Sequence, residues 1–107
     1  MNSDLSVLQG MFKMMNDTGF DTDKPLKWGF YFYDVDQNKL LKIYDKLKDH
    51  GFTNEGIDQI DNNHRLLLGM IDTLTPEKLH RINLSFNNLA ETFGVSLYDG
   101  WDVEKVK

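Results

Sequence analysis

Two periodicities alternate along this chain, and their order predicts an α+β fold. Segments whose apolar residues recur every three or four positions read as helices, and segments that alternate every second position read as strands. The order is one helix, then strand, helix, strand, strand, helix, strand. At 107 residues the chain is one domain, able to bury roughly two-thirds of its unfolded surface in a single modest core.

The first helix is announced by Ser3 as a capping hydroxyl and by Leu5, Leu8, Met11, Phe12 and Met15 on one stripe. Gly19, after Asn16-Asp17-Thr18, suits a left-handed stop. A polar link closed by Pro25 leads to a first strand, Lys27 to Tyr33. There Trp28, Phe30 and Phe32 share one face, and Gly29, Tyr31 and Tyr33 the other. So dense an aromatic run predicts a strand covered at least partly on both sides.

Asp34-Val35-Asp36 breaks that strand, and a second helix runs from about Gln37 to His50 with Leu40, Ile43, Tyr44 and Leu47 inward and Gly51 at its end. Gly56 to Asp61 alternates imperfectly through Ile57 and Ile60. Asn62-Asn63 marks a turn, because Asn tolerates positive φ. His64 to Asp72 holds a continuous apolar run that suits a central strand. Thr75-Pro76-Glu77 is a helix start: a capping hydroxyl, a proline in the first turn and an acid at the positive end of the dipole. That third helix runs to Phe93 with Leu79, Ile82, Phe86, Leu89, Ala90 and Phe93 inward, and a last strand covers about Ser96 to Val103.

The six elements over residues 27–103 form the split β-α-β-β-α-β arrangement. It predicts a ferredoxin-like, four-stranded antiparallel sheet with two helices on one face. The extra N-terminal helix, within residues 1–19, must bury its apolar stripe on the open sheet face or against an edge.

Composition excludes several classes. There are no cysteines, so neither a disulfide framework nor a thiolate metal site is available, which fits the cytoplasm. No apolar run is long enough for a membrane span, and the first residues lack a basic region followed by an apolar run, so neither a span nor a secretory signal is expected. The net charge is −5, with only Arg65 and Arg81 as arginines. Nucleic acid binding needs cations to neutralise phosphates, so direct binding of nucleic acid is not expected. An acidic surface favours a basic partner.

Residues that resemble chemical sites have simpler explanations. Asp34, Asp36 and Asn38 match the opening of a calcium loop, but Lys39 and Asp45 stand where glycine and a bidentate glutamate belong. A strand end followed by a capping acid explains them. His50, His64 and His80 do not form a zinc-binding spacing. No serine lies in a nucleophile elbow. Asp99 and Asp102 could work as a carboxylate pair, but residues three apart in a strand face opposite ways, so they would need a bulge at Gly100. No cofactor, metal or catalytic residue is expected.

One stretch is more distinctive. Phe93-Gly94 leads into a strand carrying Tyr98-Asp99-Gly100-Trp101. With Thr18-Gly19-Phe20-Asp21, Lys24-Pro25, the aromatic strand Trp28 to Tyr33 and Gly51-Phe52, it resembles the RraB family of ribonuclease E inhibitors over roughly Leu8 to Val106. The resemblance implies a ferredoxin-like fold and a protein that binds a ribonuclease and lowers its activity without cleaving anything itself. Typical members are dense in Asp and Glu in the N-terminal helix, whereas here only Asp4 and Asp17 lie in or beside it. That difference keeps an immunity or antitoxin protein against a nuclease toxin as an alternative, and a small-ligand regulatory module as another. The expected contact residues are Tyr98, Asp99, Trp101 and Asp102, with Asp58 and Asp61 from the hairpin. Their carboxylates would stand where the nuclease expects phosphates. Sequence leaves the oligomeric state open.

Overall fold

A computed structural model describes residues 1–106. The elements are α1 (Leu5–Asp17), β1 (Leu26–Asp34), α2 (Gln37–Leu47), β2 (Thr53–Ile60), β3 (Asn63–Asp72), α3 (Pro76–Thr92) and β4 (Leu97–Glu104). The sheet order is β2-β3-β1-β4, and each neighbouring pair is antiparallel. This is the ferredoxin-like α+β arrangement that the sequence predicts.

The core lies on the sheet face carrying Trp28, Phe30 and Phe32, all fully buried. Phe86 of α3 packs edge-on to Phe30 at 5.3 Å and tilted against Phe32 at 5.4 Å. Leu40 and Ile43 of α2, and Leu66 and Leu68 of β3, complete it. Trp28 keeps its polar handle satisfied, its Nε1 donating to the Asp72 carbonyl at 3.0 Å.

The N-terminal helix does not cover the open face; it lies on the helical face, beside the edge strand β4. Phe12 stacks on Trp28 at 5.8 Å, so α1 lies on the same sheet face as α2 and α3. Leu8 and Phe12 are buried, while Met11, expected to point inward, is 43% exposed. Met11 and Phe12 are consecutive and so about 100° apart round the helix; turning Phe12 onto Trp28 leaves Met11 at the rim. All three helices thus cover one face, and the other face of the sheet is left open.

Local differences follow from capping and turn chemistry. Asp4, not Ser3, caps α1, its carboxylate accepting from the backbone N–H groups of Ser6 and Val7. Ser3 is drawn away to His80, whose Nδ1 lies 2.8 Å from the Ser3 hydroxyl. The second helix tightens into a 3-10 turn over Lys48–His50 before Gly51, at φ 88°, ends it. Strand β2 starts earlier than its alternation suggests, at Thr53. The hairpin turn is Asp61-Asn62 rather than Asn62-Asn63, because Ile60 pairs directly with Asn63 and Asp61 takes the positive φ of 53°.

Candidate functional site: the β4 edge and the open sheet face

Strand β4 contains a bulge. Tyr31 pairs with Gly100 and Phe32 with Tyr98, leaving Asp99 as the extra residue. Gly100 takes φ 123° there, a conformation that other residues rarely adopt. The bulge resets the alternation, so Tyr98 and Trp101 both turn to the core although they are three positions apart. Tyr98 packs against Phe32 at 4.9 Å and Phe86 at 5.4 Å, and Trp101 lies 5.7 Å from Trp28.

This placement corrects one expected contact residue. Tyr98 is 1% exposed and offers nothing to a partner. Its hydroxyl donates to Asn83 Oδ1 at 2.6 Å, and burial pushes its pKa far up. Asn83, itself buried on α3, donates on to the Ser3 hydroxyl at 3.3 Å. The tyrosine therefore anchors β4 to α3 and to the N-terminal segment. The chain start reinforces the tie: the Met1 amino group donates to the Tyr98 carbonyl at 2.9 Å and to Asn87 Oδ1 at 2.8 Å.

The remaining expected residues stay at the surface. Asp99, Asp102, Asp58 and Asp61 are exposed, and Trp101 is half-buried. They do not gather at one point. Strands β2 and β4 are opposite edges of the sheet. Asp58 lies level with Tyr33 of β1 and Asp102 with Gly29, so three strand spacings across and four residues along the sheet put them about 20 Å apart.

A row of side chains across the open face joins those two. Asp58 of β2 pairs with Arg65 of β3 at 3.2 Å. The Arg65 guanidinium lies 5.3 Å from the centroid of the Tyr31 ring on β1. The Tyr31 hydroxyl donates to Asp102 Oδ2 of β4 at 2.5 Å. This hydrogen bond, then partial burial and the charge of Asp102, raise the Tyr31 pKa to about 12. Each of the four strands thus gives one residue to the row.

Beside it is a shallow hollow of about 350 Å³, lined in part by Lys27, Gly29, Glu55, Gly69, Asp102 and Glu104. Gly29 and Gly69 face each other across the two central strands. Their missing side chains leave room for the Asp102 and Glu55 carboxylates, which fold over them. Lys27 reaches Glu55 at 3.0 Å and Glu104 at 4.0 Å. The open face therefore carries four carboxylates, Glu55, Asp58, Asp102 and Glu104, against two cations, Lys27 and Arg65.

Sequence reasoning missed Arg65, Tyr31, Lys27, Glu55 and Glu104 as members of this surface. The parity of β1 was legible, but which residues oppose Tyr31 depends on register. Asp34 and Asp36, from the calcium-like stretch, take structural roles. Asp36 caps α2, and buried Asp34 accepts from the Ser96 hydroxyl and backbone N–H and from the Asp36 N–H. Among the described residues no helix is long and apolar enough to cross a membrane.

The fold and this surface define a small α+β domain that presents an acidic sheet face and a bulged edge strand. The chain belongs to the RraB family, described as Regulator of ribonuclease activity B, which matches residues 7–103. No curated protein matches it.

Proposed function

We propose that this protein is a non-enzymatic inhibitor that binds a nuclease with a basic surface and lowers its activity. The family match over nearly the whole chain carries the reading. The arrangement of charge supports it. RNA-binding sheets of this topology offer aromatics among cations, whereas here Tyr31 and Tyr33 stand among carboxylates. Such a surface repels RNA and attracts the cationic groove that holds RNA. The contact surface is the open face with the β4 edge: Asp99, Trp101 and Asp102, with Asp58 and Asp61 at the far side. The protein works in the cytoplasm, where it meets its target directly.

Capture of partners from the native cytosol, followed by an RNA cleavage assay with the captured nuclease, tests this. Cleavage should slow in a saturable, salt-sensitive way as the protein is added. Failure to retain any nuclease, or cleavage of RNA by the purified protein alone, overturns the reading.

A second reading is an immunity protein that neutralises a cognate nuclease toxin. The scarcity of acids along α1 favours it: the first turn holds none, and Asp17 at the end is the one acid within the helix. A toxin encoded by the neighbouring gene, and rescue of cells from that toxin, would decide for it over regulation of a resident ribonuclease.

A further inference from the structure

The two edges of the sheet differ. Strand β2 is exposed along most of its length, with a register irregularity between Asn54 and Gly56. Strand β4 runs beside α1, and between them lies a groove of about 360 Å³. Met11, Met14, Met15, Phe20, Trp101 and Val103 form its apolar walls. Met14 is 67% exposed and Met11 43%, so thioethers that could have been buried face water along it.

The backbone next to the groove is unpaired on its outer side. Met1 covers the upper part of β4 through the Tyr98 carbonyl. Over Trp101–Glu104, among the described residues, no hydrogen bond from outside the ladder with β1 reaches the main chain. An edge strand with open N–H and C=O groups beside an apolar groove suits an added strand, whose alternate side chains drop into the groove. Methionines adapt to varied side-chain shapes there.

Charge selects the occupant. Strand β4 carries Asp99, Asp102 and Glu104. Pairing two copies edge to edge would oppose these carboxylates, and like charges across strands destabilise a sheet. A segment with Lys or Arg between its apolar residues meets them instead. We infer that the free edge of β4 and the methionine groove dock an extended segment of alternating apolar and basic residues from the partner protein, which joins the sheet as a fifth strand. This rests on the reading of the protein as a nuclease-binding regulator. It adds where the partner is held and in what conformation.

The test uses the intact chain and an acetylated, amidated heptapeptide of alternating lysine and valine, followed by amide and methionine-methyl NMR. Saturable shifts should fall on Trp101–Val103 and on the methyls of Met11 and Met14. Met14→Lys, a change at an exposed position, should weaken binding about tenfold or more. N-methylation of alternate peptide bonds, or glutamate in place of lysine, should abolish it. No saturation by about 1 mM, shifts centred on Tyr31 and Gly69, or indifference to N-methylation each overturn the inference. So does a dimer in sedimentation that Met14→Lys dissociates. Nuclease inhibition by Met14→Lys at wild-type strength would remove the docking site and leave the regulator intact. Absence of inhibition by the wild type would remove the regulator, and the peptide titration would still judge the groove.

Discussion

Single side chains hold this surface in shape, and two of them are open to direct measurement. The Tyr31 phenol is held up near 12 chiefly by its hydrogen bond to Asp102. Asp102→Asn removes the negative charge, and the phenol should then titrate closer to its ordinary value of about 10, as read by ultraviolet absorbance. Gly29→Ala should act the same way without touching either partner, because its methyl would take the space of the Asp102 carboxylate. An unchanged titration in both variants would mean that the row across the sheet does not form. Asp34 gives a second residue-scale prediction. Burial pushes its pKa up, but the bonds from the Ser96 hydroxyl, the Asp36 N–H and the Ser96 N–H outweigh that and hold it below the usual value. A carboxyl whose folded pKa is depressed stabilises the fold above its unfolded pKa, and that contribution disappears as pH falls through the folded value. Asp34→Ala should therefore cost about 2–3 kcal/mol at neutral pH. Denaturant melts should show the gap to wild type shrinking below about pH 4, the unfolded carboxyl range.

At the scale of elements, α1 is fixed by a cap at its start and by its two buried side chains, Leu8 and Phe12. Asp4→Ala removes its cap and should cost about 1 kcal/mol, seen as a lower midpoint in thermal denaturation. Phe12→Ala takes away the ring stacked on Trp28 and should cost about 3 kcal/mol. It should also change tryptophan fluorescence, because Trp28 loses its cover; unchanged emission would place α1 elsewhere. The stripe of α1 was legible in the sequence, but its destination was not. Periodicity shows which side of a helix is apolar and is silent about which layer that side joins. The same limit explains Asn83, which sits fully buried on the inner stripe of α3, where a search for apolar residues passes over it. Strand β2 was faint because an exposed edge has little need to alternate, and only Ile57 and Ile60 turn toward cover. The aromatic strand β1 and the Thr75-Pro76 helix start were plain, because each is fixed by its own local chemistry. Tyr98 was misplaced as a contact because the bulge at Asp99 changes the parity of β4, and a bulge depends on the partner strand.

Over the whole molecule, the charge of −5 and the uneven surface separate the rate of encounter from the lifetime of a complex. The carboxylates of the open face are solvent-exposed and partly paired. If the proposed partner is a cationic nuclease, their pull on it acts at a distance and is screened by salt. Association should therefore slow several-fold between about 50 and 500 mM salt, as the Debye length shrinks to a few ångströms. Asp58→Ala should slow it further, because it also leaves Arg65 without its partner. Trp101 is different: it is half-buried against Trp28 and borders the groove, so its loss should chiefly shorten the complex's life. An anchoring aromatic of this kind is worth about 2 kcal/mol, or roughly thirtyfold in dissociation rate. Surface plasmon resonance on the captured nuclease reads both rates, with thermal melts confirming that each variant is folded. Asp99→Ala belongs with Asp58→Ala if charge is its only contribution, and with Trp101→Ala if the bulge presents it to the partner. If folded Asp58→Ala, Asp99→Ala and Trp101→Ala all associate and dissociate at wild-type rates, the acidic face and its edge are not where the nuclease binds.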